Sequence, residues 1–505
     1  MRALLVTSVG VTCAAALTLP LAAPASSAPV LSAASARPPS LTTEPGTDTT
    51  DTSGTTAPDT TTTSDTTAPD GAELRAAKSA AAPAGSTQSL PLAPLAVPSN
   101  RVAGAPAVQG LPQRDARPFS LVGVVWDDAE AELHGTVQVR TRATGTTRWS
   151  DWQDVETHNA DHAADLGSAE REGRTVRGAT APLWVGDSDG VEVRVRPESP
   201  AAPESQDRAA TPVPLPEGMR LELVDPGEDP APEPARGAPA NRAAVPAVFA
   251  DTPPTAALPE VLTAEIAAAS AVNAEVAELG ASVIPALTQA ETAESVNLAP
   301  GAKPYIGPRP RIVTRKGWGA DEKLRERNFG YTKSVKAAFV HHSATGNNYT
   351  CKQAPSVLRS IYRYHVKSSG WRDFGYNFAV DKCGNIYEGR AGGVTKAVLG
   401  AHTLGFNTNT MGIAVLGSYG STNPPAAAVT AVSKLTAWKL GLFGANPKGK
   451  VTLVSGGSNK YKKGVKVKMN VISGHRDGFA TECPGARLYK KLGTARTSSA
   501  KLQGR

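Results

Sequence analysis

The stretch "VISGHRDGFATECPG" (residues 471–485) puts a short apolar strand ahead of His475, then Cys483, then a Pro-Gly turn. From this stretch alone Cys483 has three open fates: half of a disulfide, a nucleophile, or a metal ligand. Zinc takes imidazole nitrogen and thiolate sulfur, and a catalytic zinc uses three protein ligands with one position left for water. His475 and Cys483 are too far apart for a one-turn helical chelate, so the loop between them must do the bending. A third ligand has to come from far away. "VKAAFVHHSA" (335–344) offers His341 or His342 at the end of a buried strand. Successive strand side chains point to opposite faces, so only one of the two faces such an ion. A His–Cys pair by itself reads equally well as a satisfied histidine and a buried thiol.

Working outward, residues 304–495 carry five of the chain's eight histidines: His341, His342, His365, His402 and His475. "APSVLRSIYRYHVKS" has apolar residues at helical spacing, and "AAAVTAVSKLTAWKLGLFG" reads as an amphipathic helix closed by Gly444. "YNFAVDKCGNIYEGR" is a strand, a turn at Gly384 and a second strand, and "TMGIAVLGSY" is another buried strand. Mixed strands and helices of this length bury one core, so 304–495 is expected to be a single α/β domain. "NKYKKGVKVKMN" (459–470) fits a solvated hairpin as readily as a binding patch.

The rest of the chain is organised differently. Residues 1–28 have one basic residue, an apolar run and small residues at Ala23 and Ala25, the pattern of a cleaved secretory signal peptide. Residues 29–115 are rich in Ala, Pro, Thr and Ser and read as a disordered linker. Residues 116–226 alternate apolar and polar residues between Gly, Asp and Pro, which predicts a β-sandwich-like accessory domain. In it, Trp149 and Trp152 are expected in the core rather than stacked on sugars. His134, His158 and His162 show no metal-like grouping and are expected at the surface. Residues 227–303 read as an Ala/Pro-rich linker holding a helix from Glu260 to Leu279, and 496–505 as a tail.

Secretion changes the cysteine arithmetic. Cys13 leaves with the signal peptide, and Cys351, Cys383 and Cys483 remain. Cys351 and Cys383 lie within one compact region, so a bridge between them suits an oxidising compartment and leaves Cys483 over. The net charge of +7 hides a split: residues 301–505 hold 34 Lys+Arg against 8 Asp+Glu. Such a bias suggests an anionic partner, and for a secreted protein an anionic wall polymer is a better candidate than nucleic acid. No further stretch approaches the length of a membrane span, so no stable membrane anchor is expected.

At this point the residues match a known family. Residues 311–489 resemble the type-2 N-acetylmuramoyl-L-alanine amidases and peptidoglycan recognition proteins. The resemblance rests on "RIVTRKGWGADE", "VHHSATGNNY", "GWRDFGYNFAVDKCGNIYEGR", "GAHTLGFNTNTMGIAVLG" and "SGHRDGFATECPG", in family order. It implies a mixed central β-sheet flanked by helices, and a Zn2+ held by His341, His475 and Cys483. It implies catalytic roles for Tyr376 and Thr481, and a muramyl-peptide groove lined by His342, His365, Tyr376, His402 and Asn407. For His365, packing on the core is an equally good reading. Arg390 and Trp371 read better as a structural ion pair and a core aromatic than as ligand contacts.

The implied reaction is zinc-assisted hydrolysis of the amide joining N-acetylmuramic acid to L-alanine, by a secreted protein, expected to be a monomer, acting on peptidoglycan. Two rivals remain on sequence grounds. A recognition protein of the same fold binds peptidoglycan without cutting it, but the intact His–His–Cys set argues against that. A cysteine peptidase would use Cys483 as nucleophile and His475 as base, yet such enzymes usually present the cysteine at a helix N-terminus, ahead of the histidine.

Overall fold

The computed structural model describes residues 84–95, 108–157, 162–198, 213–230, 262–296 and 305–505. The expected signal peptide, much of both linkers and His158 lie outside the described residues.

The accessory region contributes eight strands: β1 (Ala84–Pro91), β2 (Ala93–Pro94), β3 (Gln109–Trp126), β4 (Gly135–Ala143), β5 (Gln153–Val155), β6 (Gly178–Ala179), β7 (Leu183–Pro197) and β8 (Arg220–Gly227). They join in one sheet with the path β1-β8-β3-β7-β4-β5, and β2 and β6 pair with β3. The sheet therefore begins inside the segment expected to be linker. An edge strand needs backbone hydrogen bonds on one side and few apolar groups, and β1 supplies those by pairing antiparallel with β8. Leu90 and Leu92 add apolar contacts to a core built from Val122, Val124, Trp126, Val137, Val193 and Leu223. Trp149 and Trp152 are not in that core. They are half-buried on the sheet, with the Arg194 guanidinium 3.9 Å from the Trp152 ring centre.

The second linker also contributes structure, through α1 (Ala264–Ala271), β9 (Val283–Ile284) and α2 (Gln289–Glu294). The helix is shorter than its predicted span, and β9 joins the sheet of the following domain. That domain contains β10 (Ile312–Val313), β11 (Ala337–His342), α3 (Ala354–Arg363), β12 (Phe378–Val380), β13 (Ile386–Glu388), β14 (Thr410–Val415) and α4 (Ala426–Leu442). It continues with β15 (Lys450–Val454), β16 (Lys466–Asn470), β17 (Ile472–Gly474), α5 (Ala486–Tyr489) and α6 (Leu492–Leu502). The expected tail is thus mostly helix α6, held by the buried Ala495, Ser499 and Ala500.

The central sheet is mixed, in the order β17-β11-β14-β12-β13-β10-β9. β11 sits between β17 and β14 and runs parallel to both. Every residue of "AAFVHH" is buried, the signature of a central parallel strand covered on both faces. On one face α4 and α6 pack Val432, Leu435, Trp438 and Leu492 against Val340, Ile413 and Val415. That double cover explains why α4 is buried nearly all round, even at Lys439, and not only along one stripe. β15 and β16 form a separate hairpin whose lysines 466 and 468 face solvent while Val467 and Met469 face inward.

The two regions share a core. On the far side of the sheet, α3 presents Val357, Leu358, Ile361 and Tyr362 to a cluster that includes Leu121, Val125, Trp184 and Val224 of the accessory sheet. Tyr364 lies fully buried in this seam, its hydroxyl donating to the carbonyls of Thr180 (3.1 Å) and Val124 (3.4 Å). Gly123 is required there, because a β-carbon at that position would sit 2.4 Å from the Tyr364 hydroxyl.

Candidate metal centre

Strand alternation decides which of the paired histidines enters the site. His341 falls on the same side of β11 as Ala337 and Phe339, and His342 on the side of Ala338 and Val340. β17 pairs with β11 so that Gly474 lies beside Val340, which delivers His475 next to His341, their ring centres 4.4 Å apart. After His475 the chain folds back. The Gly478 amide donates to the His475 carbonyl (2.9 Å), the Arg476 amide to the Cys483 carbonyl (3.0 Å), and the Cys483 amide to Thr481 Oγ1 (3.1 Å). Gly485 closes the turn at φ +85°, where a β-carbon would lie 2.3 Å from the Tyr419 carbonyl carbon. The loop bends as the spacing required, and Cys483 Sγ ends 3.8 Å from His341 Nδ1.

A fourth donor completes the group. His162, from the segment that follows β5 in the accessory domain, brings its Nε2 to 3.6 Å from Cys483 Sγ. Its ring centre is 4.4 Å from that of His475 and 5.1 Å from that of His341. One donor atom from each of His162, His341, His475 and Cys483 lies within 4.8 Å of every other, and all four residues are buried. The set is suited to a divalent metal. Zinc–nitrogen and zinc–sulfur bonds of about 2.0 and 2.3 Å, arranged tetrahedrally, put nitrogen and sulfur roughly 3.6 Å apart, close to the two separations found here.

The surroundings orient these donors. Thr403 Oγ1 lies 3.0 Å from His402 Nδ1 and 3.4 Å from His341 Nε2. A proton on Nε2 directed at Thr403 leaves the Nδ1 lone pair of His341 facing Cys483, the kind of outer partner that fixes a ligand's tautomer. Burial, then the neighbouring His475 and His162, hold the His341 pKa well below the usual histidine value. The ring is therefore neutral and able to ligate.

Other predicted site residues take varied places. Tyr376 is buried, its ring centre 5.3 Å from that of His341 and 5.7 Å from that of His162. His342 accepts from the Tyr419 amide at Nδ1 (3.2 Å) and turns Nε2 toward Glu156 of the accessory domain (3.5 Å). His402 lies behind His341, boxed in by Thr403 and by Thr410 Oγ1 at 3.4 Å, in an outer layer and not in an open groove. His365 stacks on Trp371 at 4.4 Å and accepts from the Gly375 amide, which favours its core reading. Asn407 donates to the Ala163 carbonyl (2.9 Å) and to Asp165 (2.7 Å). Thr481 caps the Cys483 amide through its hydroxyl. Cys351 and Cys383 are bonded to each other, joining the approach to α3 to the β12–β13 turn.

Sequence reasoning missed His162 altogether, expecting it at the surface. It also missed the accessory residues around it: Glu156, Asp165 and Glu170. Arg390 is in an ion pair, as expected, but its partner is Glu170 at 2.8 Å. His162 and Cys483 are separated by 321 positions, and no local spacing rule links residues that far apart.

Known families match two separate stretches of the chain. The family described as N-acetylmuramoyl-L-alanine amidase matches residues 331–486, and one described as Rv3811 N-terminal galactose-binding domain-like matches residues 72–214. Peptidoglycan-recognition protein SC2 of Drosophila simulans is 30% identical over 185 residues, which is 36% of this chain and 85% of that protein. The human N-acetylmuramoyl-L-alanine amidase is 30% identical over 194 residues, 37% of this chain and 28% of that protein. Among solved structures, wild-type Drosophila PGRP-LB aligns at 25% identity over 36% of this chain and 92% of its own, with a TM-score of 0.29.

Proposed function

The chain belongs to the family of peptidoglycan recognition proteins and N-acetylmuramoyl-L-alanine amidases, and on that premise we propose that it is a secreted zinc amidase. Its substrate is the amide bond between N-acetylmuramic acid and L-alanine in peptidoglycan. The observation that carries this reading is the convergence of His341, His475 and Cys483 at the ends of two parallel strands, with Tyr376 beside them. Zinc bound there supplies Lewis acidity toward the scissile carbonyl and toward water.

The protein's own groups do the rest. His341, His475 and Cys483 hold the metal, with Thr403 setting the orientation of the His341 ring. Tyr376, its ring centre 5.3 Å from that of His341, is the group that would donate a hydrogen bond to oxygen as it gains negative charge at the carbonyl. Thr481 keeps the turn that presents the thiolate. The net positive charge of residues 301–505 favours approach to an anionic wall.

The test is prolonged incubation of the full chain with defined muropeptides, mass spectrometry of the products, and metal analysis of the same sample. The expected result is one zinc per chain and products with a new L-alanine amino terminus. Excess chelator removes the activity, and His341→Ala lowers it by at least about a hundredfold, since even outer-layer changes cost 10–100-fold. Undiminished cleavage in chelator overturns the metal-dependent reading. Muropeptide binding with no cleavage under any condition assigns the chain to recognition instead.

A further inference from the structure

A catalytic zinc keeps one position open, whereas a zinc with four protein ligands is closed. The described structure offers four. Three come from the amidase domain, and the fourth, His162, comes from a different domain. The geometry points to His162 as a ligand supplied in cis by the accessory domain, which closes the metal site and leaves the chain latent until His162 withdraws. This rests on the zinc reading of His341, His475 and Cys483 given above.

Three observations carry the inference. First, His162 lies among the ligands and not merely over them. Its Nε2 is 3.6 Å from Cys483 Sγ, nearer than His341 Nδ1 at 3.8 Å, and its ring is in edge contact with both His475 and Tyr376. It thus packs against the metal donors and against Tyr376 at once. Second, the residue is only 5% exposed and enclosed on all sides, so it is not a surface side chain that happens to lean inward.

Third, the segment that carries it is fastened across the groove by polar contacts. The Ala163 carbonyl accepts from Asn407, and Asp165 accepts from Asn407 and from the Gly405 amide, both at 2.7 Å. Glu170 pairs with the buried Arg390, and Arg174 with Glu326. Just before this segment Glu156 faces His342. His342 and Asn407, expected to line the groove, are therefore covered by the accessory domain. Withdrawing the segment requires these polar contacts to break but leaves the apolar seam at α3 intact.

The test compares the full-length protein with His162→Gln and with Asp165→Ala/Glu170→Ala, each checked for folding by circular dichroism. The double variant keeps His162 but loosens the segment that carries it. Each protein is loaded with Co2+ as a spectroscopic probe, and azide is added as a small exogenous ligand. Azide is expected to perturb the visible spectrum of His162→Gln strongly, of the double variant measurably, and of the wild type little. In competition with a chelator, His162→Gln is expected to hold zinc at least about tenfold more weakly than the wild type. Both variants are expected to cleave muropeptides at least tenfold faster.

Equal azide response and equal zinc affinity in folded wild type and His162→Gln overturn the inference. If His162→Gln opens to azide and still cleaves nothing, closure by His162 stands and the amidase reading fails. Should the single variant not fold, an azide response of the double variant no greater than that of the wild type overturns the inference.

Discussion

The accessory domain meets the amidase domain through two seams of opposite character. At α3 the contact is a shared apolar core: Leu121, Val125, Trp184 and Val224 on one side, Leu358, Ile361 and Tyr362 on the other. Over the metal centre it is polar, made by Glu156, Asp165, Glu170 and Arg174 with His342, Asn407, Arg390 and Glu326. Burying apolar surface contributes about 25 cal/mol per Å2 and needs no particular partner geometry. Ion pairs and hydrogen bonds contribute less net stability, because each is exchanged for bonds to water. One seam is built to stay shut, and the other to be opened at modest cost. On the inference that His162 withdraws, a single chain thereby keeps its accessory domain attached while the segment over the metal donors moves.

The sharpest way to break this comparison is at Tyr364, which is fully buried in the apolar seam. Tyr364→Ala removes a large side chain and takes the hydroxyl donor from the Thr180 carbonyl, while the Val124 carbonyl keeps the Thr180 amide at 2.8 Å. The expected loss is about 3–5 kcal/mol, read as a shift of the midpoint in chemical denaturation, with both domains affected. A loss confined to one domain would mean that the seam does not couple them.

A smaller effect is expected at Glu170→Ala. Arg390 then loses its carboxylate partner in a buried place but keeps the Phe374 carbonyl at 2.8 Å as an acceptor. Breaking a buried pair outright costs 3–5 kcal/mol, so the retained acceptor brings the expected loss down to about 2 kcal/mol. Limited proteolysis should cut the 162–177 segment sooner in this variant, while the denaturation midpoint moves less than in Tyr364→Ala. The smallest effect belongs to Glu156→Gln, whose partner distance to His342 is 3.5 Å at a half-exposed position. Within about 0.5 kcal/mol is expected, and a larger change would make the polar seam a load on stability comparable with the apolar one.

Much of the amidase domain was legible because its signals are local. "AAFVHH" and "TMGIAV" are continuously apolar up to their polar ends, which marks them as central strands. The hairpin around Gly384 and the helix beginning at Ala354 carry their own turn and periodicity signals. The strands at 84–95 were less legible, since an edge strand held by backbone bonds leaves little trace in composition. α4 read as amphipathic because periodicity records one buried face, while the actual helix is covered by the sheet and by α6 together. His402 and Asn407 read as groove residues. Their true surroundings depend on Thr403 and Asp165, and Asp165 belongs to the other domain.

The amino-acid sequence by itself determined that one histidine of the pair His341/His342 can meet His475 and Cys483, and the family resemblance pointed to His341. Strand alternation lets only one histidine of a pair face the site, and a short loop closed by glycine can return a thiol to its own strand end. Only the tertiary structure decided that His162 joins them. That contact spans two domains, and it is set by how the accessory sheet seats its apolar face on α3. No pattern of neighbouring residues encodes such a placement, because it results from packing summed over a whole surface.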